Sequence, residues 1–134
     1  MIGYTEMFLR LVVATLAGGF IGLEREVVHK PAGVRTHMLV SLGSALFVLI
    51  TLGSSPEGAD KIIAGIATGI GFLGAGTIFK AKSDVHGLTT AASIWTVAGV
   101  GLAIGMGYYF LTFIAAGLTL IILHLNKLDF FKRL

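Results

Sequence analysis

From Gly87 to Leu123 the chain runs 37 residues without an Asp, Glu, Lys or Arg. The hydrocarbon core of a bilayer is about 30 Å thick and takes roughly 20 residues of helix. A run of this length is too long for one span and too short for three, so it encodes two. Gly105-Met106-Gly107 marks the break between them, because closely spaced glycines favour a turn. Met38–Ser55 and Ile62–Phe79 are further uncharged stretches of 18 residues each. The segment from Tyr4 to Leu23 is long enough to be another span, although it holds Glu6 and Arg10. It lacks a basic residue ahead of its apolar run and an A-x-A site behind it, so it reads as a retained helix and not a cleaved signal. The expectation is one all-α transmembrane domain with spans near 4–23, 38–54, 62–79, 88–104 and 108–124, and no soluble C-terminal domain.

Composition agrees. Hydrophobic residues make up 55% of the 134 and charged residues 13%, about half the usual share for a soluble domain. Mean hydropathy is +0.91. These values exclude a soluble enzyme, a nucleic-acid binder and a disordered chain. With no Cys, disulfides, thiolate metal sites and a Cys nucleophile are excluded too. The basic balance is explained by topology. Arg25, Lys30, Arg35, Lys80, Lys82, Lys127, Lys132 and Arg133 all fall on one side of the predicted spans, against Lys61 on the other. Basic residues stay cytoplasmic, which predicts an external N-terminus and a cytoplasmic C-terminus.

Helices in lipid associate through close backbone approach and interhelical hydrogen bonds, both of which small residues permit. Gly18-x-x-x-Gly22 in the first span, Gly65, Gly69, Gly71, Gly74 and Gly76 in the third, and Ala91, Ala92, Gly99 and Gly101 in the fourth therefore predict a compact, glycine-rich bundle. The cluster Gly69, Gly71, Gly74 and Gly76 lies on more than one helix face. It predicts at least two close approaches, to Gly18/Gly22 and to Ala91/Ala92, or a backbone-lined pocket. Gly69-Ile-Gly71-Phe-Leu-Gly74 also fits G-x-G-x-x-G, but it sits inside an apolar span with no acidic residue about 20 positions on, so it is not a dinucleotide site.

Charged and polar residues gather at the predicted inner face. Glu24, Arg25 and Glu26 end the first span, and Arg35, Thr36 and His37 open the second. Glu24 to Arg35 reads either as a solvated turn or as a binding or gating cluster, for which the planar fork of Arg35 suits carboxylate or phosphate. Glu24, Glu26 and Asp84 are candidate ligands for a hard cation such as Mg²⁺; no other cofactor is expected. Thr89, Thr90, Ser93 and Trp95 open the fourth span, with Trp95 read as a packing residue. His37 and His124 read as snorkelling or capping groups. Arg10 is an intramembrane charge one turn after Glu6, either paired with it or functional.

Three blocks resemble the MgtC/SapB family of bacterial inner-membrane proteins. They are Gly22–Glu26 with Ala32–Gly43, then Gly69–Gly76, then Val85–Trp95, in the family's order and spacing. The resemblance implies about five spans and a role in adaptation to low Mg²⁺. It also implies regulation of other membrane proteins, the proton-translocating ATP synthase among them. Many relatives continue into a soluble domain, and virulence-type members carry Cys where this chain has Thr96.

A non-enzymatic regulator that binds a partner helix competes here with a transporter or channel for Mg²⁺ or another ion. Intramembrane acids usually mark cation pathways, and every acidic residue here lies at a span end or in a loop, which favours the regulator. No H-E-x-x-H, G-x-S-x-G or Walker motif points to catalysis. Membrane lipid, a partner membrane protein and a second copy of the chain are the expected partners; nucleic acid is not.

Overall fold

A computed structural model describes residues 2–125. Five α-helices run in chain order: α1 (Tyr4–Val27), α2 (Val34–Ser54), α3 (Ala59–Ala75), α4 (Leu88–Met106) and α5 (Tyr109–His124). A single 3-10 turn, Pro56–Gly58, leads into α3, and a two-stranded hairpin, β1 (Phe79–Ala81) with β2 (Asp84–His86), joins α3 to α4. Four of the helical segments are long and apolar enough to cross a membrane; α5, at 16 residues, is shorter. At 1.5 Å per residue it spans about 24 Å.

The distribution of residues is that of a bundle in lipid. Large apolar side chains point outward: Phe110 and Phe113 are each 79% exposed, and Phe20, Leu39 and Phe47 are also exposed. Small and polar ones point inward, with Ser41, Ser44, Thr90 and Ser93 buried beside Ala14, Ile21, Ala45, Val97 and Ile104. Water would reverse that arrangement, whereas hydrocarbon favours it, because close packing and internal hydrogen bonds are what a lipid-embedded interface can gain.

α2 is the spine. A Cβ added to Gly22 would lie 2.7 Å from Val34 Cα, and one on Gly18 would lie 2.8 Å from Ser41 Cβ. From the other side, a Cβ on Gly101 would lie 2.7 Å from Ser41 Cα, and one on Gly105 would lie 3.1 Å from Ala45 Cα. Two glycine pairs at i,i+4 spacing, one in α1 and one in α4, thus clasp α2 at Ser41. This corrects the expected partner of Gly18/Gly22, which is α2 and not the third span. The short connection between α1 and α2 makes them antiparallel neighbours.

α1 runs four residues past its expected end and α2 starts four residues early, so Arg25, Glu26, Arg35, Thr36 and His37 are helical and not in a turn. Glu26 explains the α2 boundary: its Oε2 accepts from the Val34 N–H at 2.8 Å, placing a carboxylate on the free N–H groups of α2. The third span ends at Ala75, four residues short of expectation, where Thr77 Oγ1 donates to Gly74 O at 2.8 Å. Phe79 belongs to the hairpin, stacked on His86 with ring centroids 5.4 Å apart. The expected break after the fourth span falls at Gly107, whose φ of +87° closes α4 in the left-handed region.

Candidate functional site

The chain alternates direction, so the end of α1, the hairpin, the start of α4 and the end of α5 meet at one end of the bundle. Between them lies a cavity of about 820 Å³. Its polar wall includes Glu24, Arg25, His29, Lys30, His86, Thr89 and Thr90, and its apolar wall includes Val28, Phe79, Leu88, Ile122 and Leu123. Glu24 Oε2 accepts from Arg25 Nε, and the two side chains are only 8% and 4% exposed. Glu24 Oε1 is buried without a partner among the described residues.

Of the polar cluster expected from sequence, Glu24 and Arg25 reach this cavity, where they meet Thr89 and Thr90 from the start of the fourth span. Glu26 does not, because its carboxylate is spent on the α2 N-terminus. Arg35 is exposed and Asp84 is exposed on β2. The three carboxylates proposed as cation ligands are therefore not brought together, and no group of three or more His, Asp or Glu suited to a metal occurs among the described residues. Lys127, Lys132, Arg133 and Asp129 lie outside the described residues.

His37 is fully buried, which corrects its reading as a snorkelling group at a span end. The start of α2 at Val34 carries it a full turn into the bundle, where Gly22 leaves room for its Cβ. Its Nδ1 donates to Gly33 O at 2.9 Å, since a carbonyl can only accept. Its Nε2 lies 3.0 Å from Ser93 Oγ, which also lies 2.8 Å from Thr90 O. The single hydroxyl hydrogen of Ser93 serves one of these acceptors at a time. A Ser–His contact is the one arrangement here that mimics a nucleophile with its base. His37 Nδ1 is held by a backbone carbonyl and not by a carboxylate, and the pair ties α2 to α4 as a buried polar contact. Ser93 and His37, 56 residues apart, gave no sequence signal as a pair.

A second concavity, about 550 Å³ and almost wholly apolar, runs between α2 and α3. Leu39, Gly43 and Phe47 form one wall, and Ile62, Gly65, Ile66 and Gly69 the other. A Cβ on Gly43, Gly65 or Gly69 would meet nothing within 4 Å. Gly71 is open as well, and a Cβ on Gly76 would meet only its own helix, at Leu73 O. Of the clustered glycines only Gly74 approaches another helix: its added Cβ would stand 3.2 Å from Ala91 O on α4. The expected approach to the fourth span is present and the one to the first is not. Trp95, 54% exposed, donates from Nε1 to Ala67 O at 3.3 Å and helps hold α3 on α4.

Arg10 sits at the opposite end, and its partners are structural. Its Nε donates to Glu6 Oε1 at 2.8 Å and its Nη1 to Gly105 O at 2.7 Å, on the carbonyl-rich C-terminus of α4. Tyr109 Oη donates to the same Glu6 oxygen at 2.8 Å. The Arg10 charge is thus satisfied by α1, α4 and α5 together.

Known proteins carry related chains. The Escherichia coli K12 protein named "Putative magnesium transporter YhiD" is 42% identical over 127 residues, covering 88% of this chain and 59% of that one. Protein MgtC of Salmonella typhimurium LT2 is 45% identical over 101 residues, covering 75% of this chain and 44% of that one. Protein SrpB of Synechococcus elongatus is 39% identical over 140 positions, covering 93% of this chain and 74% of that one. The chain therefore spans about six-tenths or less of the first two relatives' length. No solved structure gives a significant match. The MgtC family description matches residues 11–129, which takes in α2 to α5 whole and α1 from Leu11 onward. With that match and these relatives over the same glycine-clasped, apolar bundle, the chain belongs to the MgtC family of multi-pass membrane proteins.

Proposed function

We propose that this chain is a non-enzymatic inner-membrane regulator that receives a transmembrane helix of a partner protein in the groove between α2 and α3. The carrying observation is the open glycine face. Gly43, Gly65 and Gly69 all lie where no neighbouring element of the described chain comes within 4 Å of an added Cβ. Within α3 only Gly74 is buried, whereas α2 buries eight residues and α4 nine. Helices in lipid associate through small residues of this kind. The groove width left by three glycines suits a helix packed backbone to backbone. Family resemblance adds the setting, adaptation to low Mg²⁺, and names the proton-translocating ATP synthase as a partner to try first. The basic end, carrying Arg25, Lys30, Arg35, Lys80 and Lys82, faces the cytoplasm in this proposal.

Gly69→Leu tests it. The Cβ at this position meets open space and the rest of a Leu side chain would extend into the groove, so the variant is expected to accumulate and melt like the native chain. It should also lose both co-purification of the partner and support of growth at limiting Mg²⁺. Unchanged growth and co-purification would overturn the proposal. The second reading, movement of Mg²⁺ or another ion, is favoured by the name of the E. coli relative. Mg²⁺ flux into liposomes holding only the purified chain would establish it, and flux equal to that of empty liposomes would remove it.

A further inference from the structure

The cavity at the basic end combines two features that a simple ligand does not satisfy together. One is Glu24, whose side chain is 8% exposed and whose Oε1 has no partner among the described residues. A buried, unpartnered carboxylate oxygen is costly and calls for a donor. The other is a convergence of anion-attracting groups. Arg25 uses only Nε on Glu24, so its two Nη groups have no hydrogen-bond acceptor among the described residues. Lys30 lines the same space. So does the start of α4, a helix of 19 residues whose first N–H groups have no intrahelical partner and no side-chain cap.

A simple anion would be repelled by Glu24, and a simple cation by Arg25, Lys30 and the α4 N-terminus. A dipolar group satisfies both halves. The remaining wall is apolar, from Val28 and Phe79 to Ile122 and Leu123. This is the surface an acyl chain needs beside its headgroup. We propose that this cavity binds a membrane lipid whose headgroup carries a phosphate and a primary ammonium, that is, a phosphoethanolamine lipid. Its phosphate rests on the Arg25 fork, Lys30 and the α4 N-terminus, and its ammonium donates to Glu24 Oε1. The site is independent of the groove between α2 and α3.

Native mass spectrometry of the detergent-purified full chain provides the test. Lipids with identical acyl chains and phosphoethanolamine, phosphoglycerol or phosphocholine headgroups are offered at equal concentration. Phosphoglycerol keeps the phosphate without the ammonium, and phosphocholine keeps both charges without an N–H to donate. Retention of the phosphoethanolamine lipid should exceed that of the other two by about tenfold, the worth of one charge-assisted hydrogen bond. Soluble phosphoethanolamine at the same concentration should not displace it. Glu24→Gln should bring phosphoethanolamine and phosphoglycerol to within about twofold of one another, and Lys30→Gln should weaken all three headgroups alike. Equal retention of the three lipids by the native chain would overturn the proposal. So would a Glu24→Gln variant that keeps the full preference, or displacement by the soluble headgroup. If Glu24→Gln fails to accumulate, the headgroup series on the native chain decides alone.

Discussion

Gly101 and Gly69 differ by surroundings and not by chemistry. A Cβ on Gly101 would drive into Ser41, 2.7 Å from its Cα, whereas one on Gly69 meets open space. Gly101→Ala should therefore destabilise the detergent-purified chain by about 1–3 kcal/mol through overpacking. Gly69→Ala should be neutral or raise stability by up to about 1 kcal/mol, the helix-propensity gain. Thermal unfolding of the two variants checks the contrast, and equal melting would remove α2 as the clasped spine. Gly74 is intermediate: Ala fits against Ala91 with a shift of a few tenths of an ångström, and Leu does not, so only Gly74→Leu should lower the melting temperature markedly. In the sequence, the i,i+4 spacing of Gly18 and Gly22 revealed a face for close approach but not its partner, since spacing carries no information about the neighbouring helix. Gly101 and Gly105 have the same spacing, partly hidden because Gly105 also reads as part of the break at Gly107. The burial of His37 is hidden for a related reason: a charge ordinarily marks the edge of a span, but the last charge before it, Arg35, lies inside α2 and not ahead of it.

At the scale of elements, the five helices were legible because uncharged length and hydropathy are strong signals over 18 residues or more. The hairpin was not. Phe79 extends the apolar run of α3, and strands of three residues leave no periodic pattern to read. The Glu6–Arg10 pairing was legible as an i,i+4 contact, while the Gly105 carbonyl that completes it is a tertiary partner 95 residues away. α3 is held to α4 by Gly74 against Ala91 and by the Trp95 hydrogen bond to Ala67. Trp95 is the single tryptophan and half its surface faces outward. Its fluorescence should therefore be quenched strongly by lipids brominated on the acyl chains, and weakly by a water-soluble quencher. The reverse pattern would place this face of α4 away from lipid.

The described chain is an up-and-down bundle with large apolar residues outside, small and polar residues inside, and most of its described basic residues at one end. Positive charge at that end predicts reporter fusions after Leu134 reading cytoplasm and fusions between Ser54 and Asp60 reading exterior. Two fusions reading the same side would contradict the five-helix path. Neither the groove between α2 and α3 nor the cavity around the hairpin was legible, because each depends on tertiary spacing that a single chain's pattern does not encode. Docking of a partner helix is tested most directly by a photo-crosslinking residue placed at Ile66, inside the groove, and compared with one at Phe113, on the outer face of α5. In native membranes, Ile66 should give one discrete protein adduct that Gly69→Leu abolishes, and Phe113 should give lipid adducts only. Lipid adducts alone at both positions would contradict the docking of a helix between α2 and α3.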